Sequence, residues 1–319
     1  MPQPTQTDVH VDAILTNMSV AYIQDARSFI AGSVFPRVPV MKQTDKYFIY
    51  SKNDWFRDEA QLRADATESA GSGYGLSTST YSCDVFAFHK DVGMQVRANF
   101  DRPLDPDRDA VNFVTQRMLL RQEVQWVADA FTTGVWGTDV VGGTNFTRWS
   151  DYAGSDPVED IEAAKESILS TTGFMPNTLV LGYQVFRKLK HHPDILDRYK
   201  YTSSDNVTPD LLARLFEVDR VMVSTAIKAT NVEGETSAYA FTAGKNAWLG
   251  YVNPTPSLLA PSAGYTFVWD GVSDGLGANV GVSRIPMPAL RADRIEAQMA
   301  WDNKIVATDL GYFFSGAVA

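Results

Sequence analysis

The sequence predicts an α+β fold in which one domain is built on a long helix and a mixed α/β domain is inserted later in the chain. Three stretches carry that prediction. Residues 106–136 read as one uninterrupted helix, 156–269 alternate helix-like with strand-like runs, and 294–314 return to β-like sequence.

The helix has the clearest boundaries. Asp105 suits an N-cap, Pro106 suits the first helical position where its missing N–H costs nothing, and Asp107 puts negative charge at the positive end of the dipole. Phe113, Leu120, Val124, Val127, Phe131 and Val135 recur mostly at three or four residues, and Val114 and Met118 widen the stripe. Arg117, Arg121, Gln122, Glu123, Gln125 and Asp129 are expected opposite it. Gly134 and Gly137 supply the stop, so about 30 residues would make a rod of roughly 45 Å.

Before the rod, residues 1–12 are polar and read as an extended arm, and Ala13 to Ile30 carries apolar residues at helical spacing until Gly32. Phe35-Pro36-Arg37-Val38-Pro39-Val40 must be extended, because each proline disfavours helical geometry in the residue before it. The stretch Ser51 to Ser82 is polar and rich in Gly and Ser. It lies between the β-like runs Lys46–Tyr50 and Cys83–Val96, which suggests a long hairpin with a loose tip reaching outward to a neighbour.

After the rod, Asp156-Pro157 repeats the cap chemistry and opens a helix that stops at Gly173. Thr178–Gly182, Arg220–Ser224, Ala238–Thr242, Ala247–Val252 and Tyr265–Trp269 read as strands. Helices fall at Tyr183–His191, after Pro193, and at Leu211–Phe216. Near the end, RIEAQMAW and KIVATDLGYFF flank Asp302-Asn303, a pair suited to a tight hairpin turn. That hairpin is expected to return to the rod and cover one of its faces.

Composition narrows the function classes. A chain of 319 residues, 45% hydrophobic and 21% charged, can bury a large core. A formal charge of −10 and the lack of any basic tract argue against a protein that grips phosphates. One cysteine, Cys83, precludes an intramolecular disulfide framework and a cysteine-rich zinc site. No window reads as a membrane span and no secretion signal opens the chain, which points to folding in a cytoplasm.

No residue set reads as an active site, so no enzymatic activity, cofactor or metal is expected. Glu217 with Asp219, and Asp58 with Glu59, read as solvated carboxylates or caps. His191 and His192 are adjacent, and on a helix point about 100° apart, so they read as a solvated helix-end pair. Cys83 and His89 would lie about 20 Å apart along a strand. Gly275, Gly277 and Gly281 form a broken dinucleotide fingerprint that leads into no helix.

Two blocks carry a family resemblance. PNTLVLGYQVFRKLKHHPDILDRYKYT, continued by VTPDLLARLFEVDRVMVS, resembles the surface A-domain of the major capsid proteins of tailed bacteriophages, the Hong Kong 97 coat fold. YSCDVFAFHKDVGMQVRANFDRPLDPDRDAVNFVTQRMLLRQEVQWVADAF resembles the return strand of that family's extended loop followed by its spine helix. FPRVPV and the C-terminal β runs fit its peripheral P-domain, so the likeness covers nearly the whole chain in order.

The resemblance implies an N-arm over 1–34, the P-domain start and extended loop over 35–98 with its tip at about 51–82, and the spine helix with its following loop over 99–150. It implies an A-domain over 151–275 and P-domain return strands over 276–319. Expected intersubunit contacts are Trp55, Phe56, Arg57, Leu62, Arg63, Tyr74 and Leu76 on the loop, and Arg117, Arg121 and Glu123 on the helix. The implied function is a coat protein that self-assembles as hexamers and pentamers into an icosahedral head around double-stranded DNA, without sequence-specific binding. A scaffolding protein, a portal and a decoration protein are implied partners, and the location is the virion after assembly in the host cytoplasm. An encapsulin-type shell around cargo enzymes is the alternative. The stretch before Phe35 is too short for the cleaved scaffold-like domain of some relatives, and no lysine–asparagine cross-linking pair can be assigned.

Overall fold

The computed structural model describes residues 23–100, 105–199, 207–257, 260–272 and 281–319. The expected arm at 1–12, the first ten residues of the expected helix 13–30, and the glycines at 275 and 277 lie outside these. The described chain opens with a 3-10 turn at Ala26–Ser28 and one helical turn, α1 (Ala31–Val34). Gly32 therefore sits inside a helical turn and does not end a longer helix. The prolines then force β1 (Arg37–Val40) to be extended.

β2 (Thr44–Tyr50), the short helix α2 (Lys52–Trp55) and β3 (Leu76–Ser82) form the hairpin. Its register runs from Thr44 opposite Ser82 to Tyr50 opposite Leu76. The expected partner for the first run was Cys83–Val96, and this is corrected: that run is β4 (Asp84–Gly93), which pairs elsewhere. LSTSTYS hid as a strand because both its faces are mostly solvated, so it carries no apolar alternation. Tyr81 is the buried exception. Its ring stacks on Phe267 at 4.5 Å, and Tyr47 lies 5.8 Å from the same ring.

After α3 (Met94–Ala98) comes the rod, α4 (Pro106–Ala130), whose Asp105 carboxylate accepts the N–H groups of Asp107 and Arg108. Its 25 residues span about 37 Å. The helix stops six residues before Trp136, whose indole N–H caps the Ala130 carbonyl at 2.6 Å. The buried stripe is also turned from the expected one. Ala110, Val114, Met118, Trp126 and Ala130 face inward at steps of four to eight, and Gln122 and Glu123 face inward with them, whereas Phe113 is exposed. Two polar residues inside the stripe broke the periodicity that apolar residues alone display.

The second half runs through β5 (Thr138–Val141), α5 (Pro157–Thr172), β6 (Thr178–Gly182), α6 (Tyr183–Lys190), α7 (Pro193–Tyr199), α8 (Pro209–Leu215) and β7 (Arg220–Ser224). α5 follows its expected caps: Asp156 accepts from Val158 and Glu159, and Gly173 closes the helix at φ +75°, a geometry that glycine adopts without strain. A small hairpin of β8 (Ile227–Ala229) and β9 (Tyr239–Phe241) precedes β10 (Ala247–Gly250). β11 (Gly264–Trp269), β12 (Gly281–Met287), β13 (Ala292–Ile305) and β14 (Gly311–Ser315) complete the described chain.

Two five-stranded sheets organise these elements. The first has the order β1-β11-β13-β12, with β4 also paired to β13. The second has the order β5-β14-β10-β6-β7. The expected turn at Asp302-Asn303 does not form. β13 runs straight through it, with Asp302 opposite Phe267 and Asn303 opposite Thr266. Asn303 is buried and bonded to Thr266 and Asp129, so the pair that suits a turn serves as a polar link inside a sheet. β14 then crosses to the other sheet, and the expected hairpin 294–314 is corrected to two strands in two sheets. Sheet membership also departs from the expected boundaries: 138–141 and 311–315 join the strands of the inserted unit, and 264–269 leaves it.

α4 serves both sheets. Its N-terminal half packs Ala110, Val114 and Met118 against Ile295, Met299 and Trp301 of the first. Its C-terminal half places Trp126 and Ala130 in the core of the second, where Phe35 lies 6.0 Å from Trp126 and 5.9 Å from Trp248, and Trp136 lies 5.0 Å from Trp248. Trp248→Ala should remove the centre of this ring cluster and destabilise the chain by about 3–5 kcal/mol, read from the midpoint of chemical denaturation.

Candidate assembly surfaces

The β2–β3 hairpin presents apolar side chains that the other described residues do not cover. Trp55 is 58% exposed and Tyr74 63%, Phe56 and Leu76 are exposed, and Leu62 is fully exposed. Trp55, Tyr74 and Tyr50 contact one another at 5.8–6.3 Å between ring centroids. Below them Asp54 accepts the Gly75 N–H at 2.8 Å, a bond that holds its carboxyl below the ordinary range, and Ser51 N–H meets the Gly75 carbonyl. The loop 51–75 is thus closed at its base and open at its tip. Lys52 pairs with Asp309 in the 3-10 turn Thr308–Leu310 before β14, and the Phe56 ring lies over Gly173, tying the base to that turn and to the end of α5. Arg57 pairs with Glu59 and Arg63 donates to the Thr67 carbonyl, both within the loop.

On the rod, Arg117 and Arg121 are exposed as expected. Arg117 lies over the Phe113 ring at 5.1 Å, shared with Lys90 at 5.5 Å, and Arg121 lies over Phe86 at 5.0 Å. Such contacts hold long cations in extended poses along a helix face.

Glu123 is a correction. It is fully buried and bonded within its own chain, so it presents nothing to a neighbour. One carboxylate oxygen accepts the N–H groups of Ile30 at 2.9 Å and Ala31 at 2.8 Å, and the other accepts the Ser224 hydroxyl at 2.7 Å. The far end of the same helical turn is held by cations. Arg37 donates to the Gly32 carbonyl, and Arg220 donates to the carbonyls of Ser33 at 3.0 Å and Val34 at 2.8 Å, and to Thr178. A four-residue helix is marginal alone, and α1 has its free donors met by an acid and its free carbonyls met by bases. Burial pushes the Glu123 carboxyl above its ordinary range and pushes both guanidiniums down. No sequence signal could have found this clasp, because its members stand 93 and 101 residues apart.

A second polar cluster sits where α3, the start of α4 and the first sheet meet. Arg97 bridges Asp107 at 2.6 Å and Asp293 at 2.8 Å, and Arg284 also pairs with Asp293. One row along, Arg294 and Asp91 face each other across β13 and β4 with two bonds, and the guanidinium holds the Asp91 carboxyl below its ordinary range.

The candidates for chemistry take structural places. His192 is buried, not solvated as expected. Its Nε2 lies 3.0 Å from the Ser155 hydroxyl, which itself donates to the Asp151 carbonyl at 2.6 Å, so the serine proton is already engaged. Burial pushes the Cys83 thiol up to about 12, and it contacts the Phe267 carbonyl, which makes it a poor nucleophile. Among the described residues, no group of three His, Cys, Asp or Glu could hold a metal, and no helix is long and apolar enough to cross a membrane.

No family model matches the sequence. The chain is, however, 31% identical over 271 residues to the major capsid protein of Burkholderia phage BcepMu, covering 80% of this chain and 82% of that protein. The chain belongs to the phage major capsid protein family. It is also 27% identical over 316 residues to the major capsid protein of Pseudomonas phage JBD67, covering 97% of each. Among solved structures, a phage-related protein from Bordetella bronchiseptica is similar at a TM-score of 0.67 and 26% identity, over 91% of this chain and 92% of that one. The capsid protein of cyanophage P-SCSP1u is similar at 0.63 and 10% identity, over 97% and 93%. A Synechococcus elongatus encapsulin reaches 0.54 at 9% identity over 94% and 92%, which shows the shared fold alone. The fold is the Hong Kong 97 type, and the capsid protein is a structural component of the virion.

The Asp91–Arg294 pair makes a pH prediction. A depressed carboxyl contributes stability that is present above the ordinary aspartate value of about 3.9 and lost as pH falls through the folded value. Asp91→Asn should denature earlier than the unaltered capsid protein at about pH 6, and the gap between them should narrow as pH falls below the ordinary aspartate value of about 3.9. Parallel curves across that range would count against the pair.

Proposed function

We propose that many copies of this capsid protein assemble as hexamers and pentamers into an icosahedral head that encloses double-stranded DNA. The observation that carries this reading is the β2–β3 hairpin, a ribbon whose apolar tip has no cover among the described residues. Two-stranded ribbons are marginal in water, and exposed large apolar groups in a cluster mark an interaction site. A neighbouring copy is the partner that a self-assembling shell supplies. In this reading Trp55, Phe56, Arg57, Leu62, Arg63, Tyr74 and Leu76 lie against that copy, and Arg117 and Arg121 face a neighbour or the interior. The sheet containing β13 with the N-terminal part of α4 acts as the P-domain, and the sheet containing β6 with its helices acts as the A-domain. The net charge of −10 suits a container that does not grip its contents. A separate scaffolding protein, a portal and a decoration protein belong to the same proposal, as does assembly in the host cytoplasm.

An encapsulin-type shell is the second reading, favoured by the fold similarity to an encapsulin. Purified particles with the absorbance ratio of nucleic acid support the head, and small shells loaded with protein cargo overturn it. Deleting Leu62 to Leu76 should leave a soluble, folded subunit that forms no stable shells in electron micrographs. Normal shells from the deletion would refute the role given to the loop.

A further inference from the structure

In a shell of identical copies, a loop tip that lies against a neighbour needs a receiving surface, and that surface must belong to this same chain. Where one patch of a copy meets a different patch of the next, the contact is head-to-tail and each chain carries both halves. The tip half is uncovered and acidic. Asp58, Asp65 and Glu68 are exposed and, among the described residues, none of them forms an ion pair. The two cations of the tip are already engaged, Arg57 with Glu59 and Arg63 with the Thr67 carbonyl. Trp55 and Tyr74 add exposed rings beside these carboxylates.

A matching surface lies where α4 runs beside β4. Phe113, Arg117, Arg121 and Gln125 follow one another at four-residue steps and so share one face of the helix. Arg117 and Lys90 both lie over the Phe113 ring, at 5.1 and 5.5 Å, and Arg121 lies over Phe86 at 5.0 Å. The three cations form a row backed by aromatic rings. A guanidinium resting on a ring keeps its N–H edge free to meet a carboxylate. Among the described residues none of the three stands in an ion pair, and Arg121 donates to Gln125, which donates in turn to Asp129. Such a row is out of keeping with a chain of net charge −10. α6 also carries three cations, Arg187, Lys188 and Lys190, but these stand in its last turn, where the helix's own C-terminal carbonyls account for them. Arg117 and Arg121 stand in the middle of α4, far from either end.

We propose that the row of Lys90, Arg117 and Arg121 receives the loop tip of a second copy, with Asp58, Asp65 and Glu68 as its counter-charges. This seat rests on the reading that the loop lies against a neighbour, and adds where it lies and by what chemistry. The complementarity has two parts. Three carboxylates without ion-pair partners meet three cations without them, and the exposed rings of Trp55 and Tyr74 meet a surface of Phe113 and cations, the groups that ring faces attract. Charges across an interface steer encounter and fix register more than they add affinity. The row therefore selects which surface and which offset the loop takes, while the apolar tip supplies the burial.

Charge reversal tests the seat. Arg117→Glu/Arg121→Glu on the row and Asp65→Lys/Glu68→Lys on the loop change only exposed side chains, so each subunit should keep its fold by circular dichroism. Under conditions where the unaltered chain forms shells, each variant alone should need on the order of tenfold more protein to do so, read by sedimentation. The chain carrying all four changes should recover shells, because its reversed tip meets a reversed row. An equal mixture of the two variants pairs each tip with the other's row, so it should form even-numbered rings where neither variant forms any. No loss in either variant, or a loss that the four-change chain does not recover, would overturn the seat. Normal shells from the deletion of Leu62 to Leu76 would instead overturn the reading of the loop itself, so the two failures are told apart. Should either double variant not fold, Arg117→Glu against Asp65→Lys repeats the comparison at single exposed positions.

Discussion

One helix is shared by two hydrophobic cores, and the remaining connections conform to that constraint. The first turns of α4 lie on the sheet of β4, β11, β12 and β13, and its last turns lie under β10 and β14. A helix of 25 residues is long enough to reach both and stiff enough to fix their relation. Dispersion and apolar burial along one stripe hold it, and each end is closed by a specific contact, Asp105 at the start and the Trp136 indole at the finish. The chain must then cross between sheets more than once, which is why β14 follows β13 in sequence but not in space.

Polar groups placed in that stripe add direction to packing that apolar groups alone would leave loose. Glu123 occupies a position where a leucine would bury as much area, yet a leucine could hold neither the two N–H groups of α1 nor the Ser224 hydroxyl that the carboxyl holds together. Buried polar groups of this kind are tolerated when every partner is met. The cations at Arg37 and Arg220 complete the turn from its other end, so a four-residue helix keeps a defined place beside the aromatic cluster of Phe35, Trp126 and Trp248.

Local chemistry was legible in the sequence, and long-range pairing was not. Asp105-Pro106, Asp156-Pro157 and Gly173 mark helix ends because a cap acts within a few residues, and all three take those places. Strands 178–182 and 220–224 showed themselves as short apolar runs that the second sheet buries or half-buries. The strand 76–82 did not, since serine and threonine on two solvated faces look like loop. Asp302-Asn303 looked like a turn because the pair is chemically suited to one, and only the partners Phe267 and Thr266 make it a strand. Of the expected contact surface, the loop aromatics and the arginines of the rod stand exposed, whereas Glu123 was hidden by treating a charged residue as an outward one. The family resemblance rested on the order of blocks, which survives the reassignment of individual strands.

The position of β14 bears on how the molecule could ever be taken apart. It lies between β5 and β10, bonded to both, so the second sheet loses an internal strand if the chain is cut between residues 257 and 311. The inserted unit is therefore not a cassette that could be expressed alone or exchanged between relatives at its apparent borders. Its ladder closes only after the chain has run through the first sheet and come back, a non-local step that ties the folding of each half to the completion of the other.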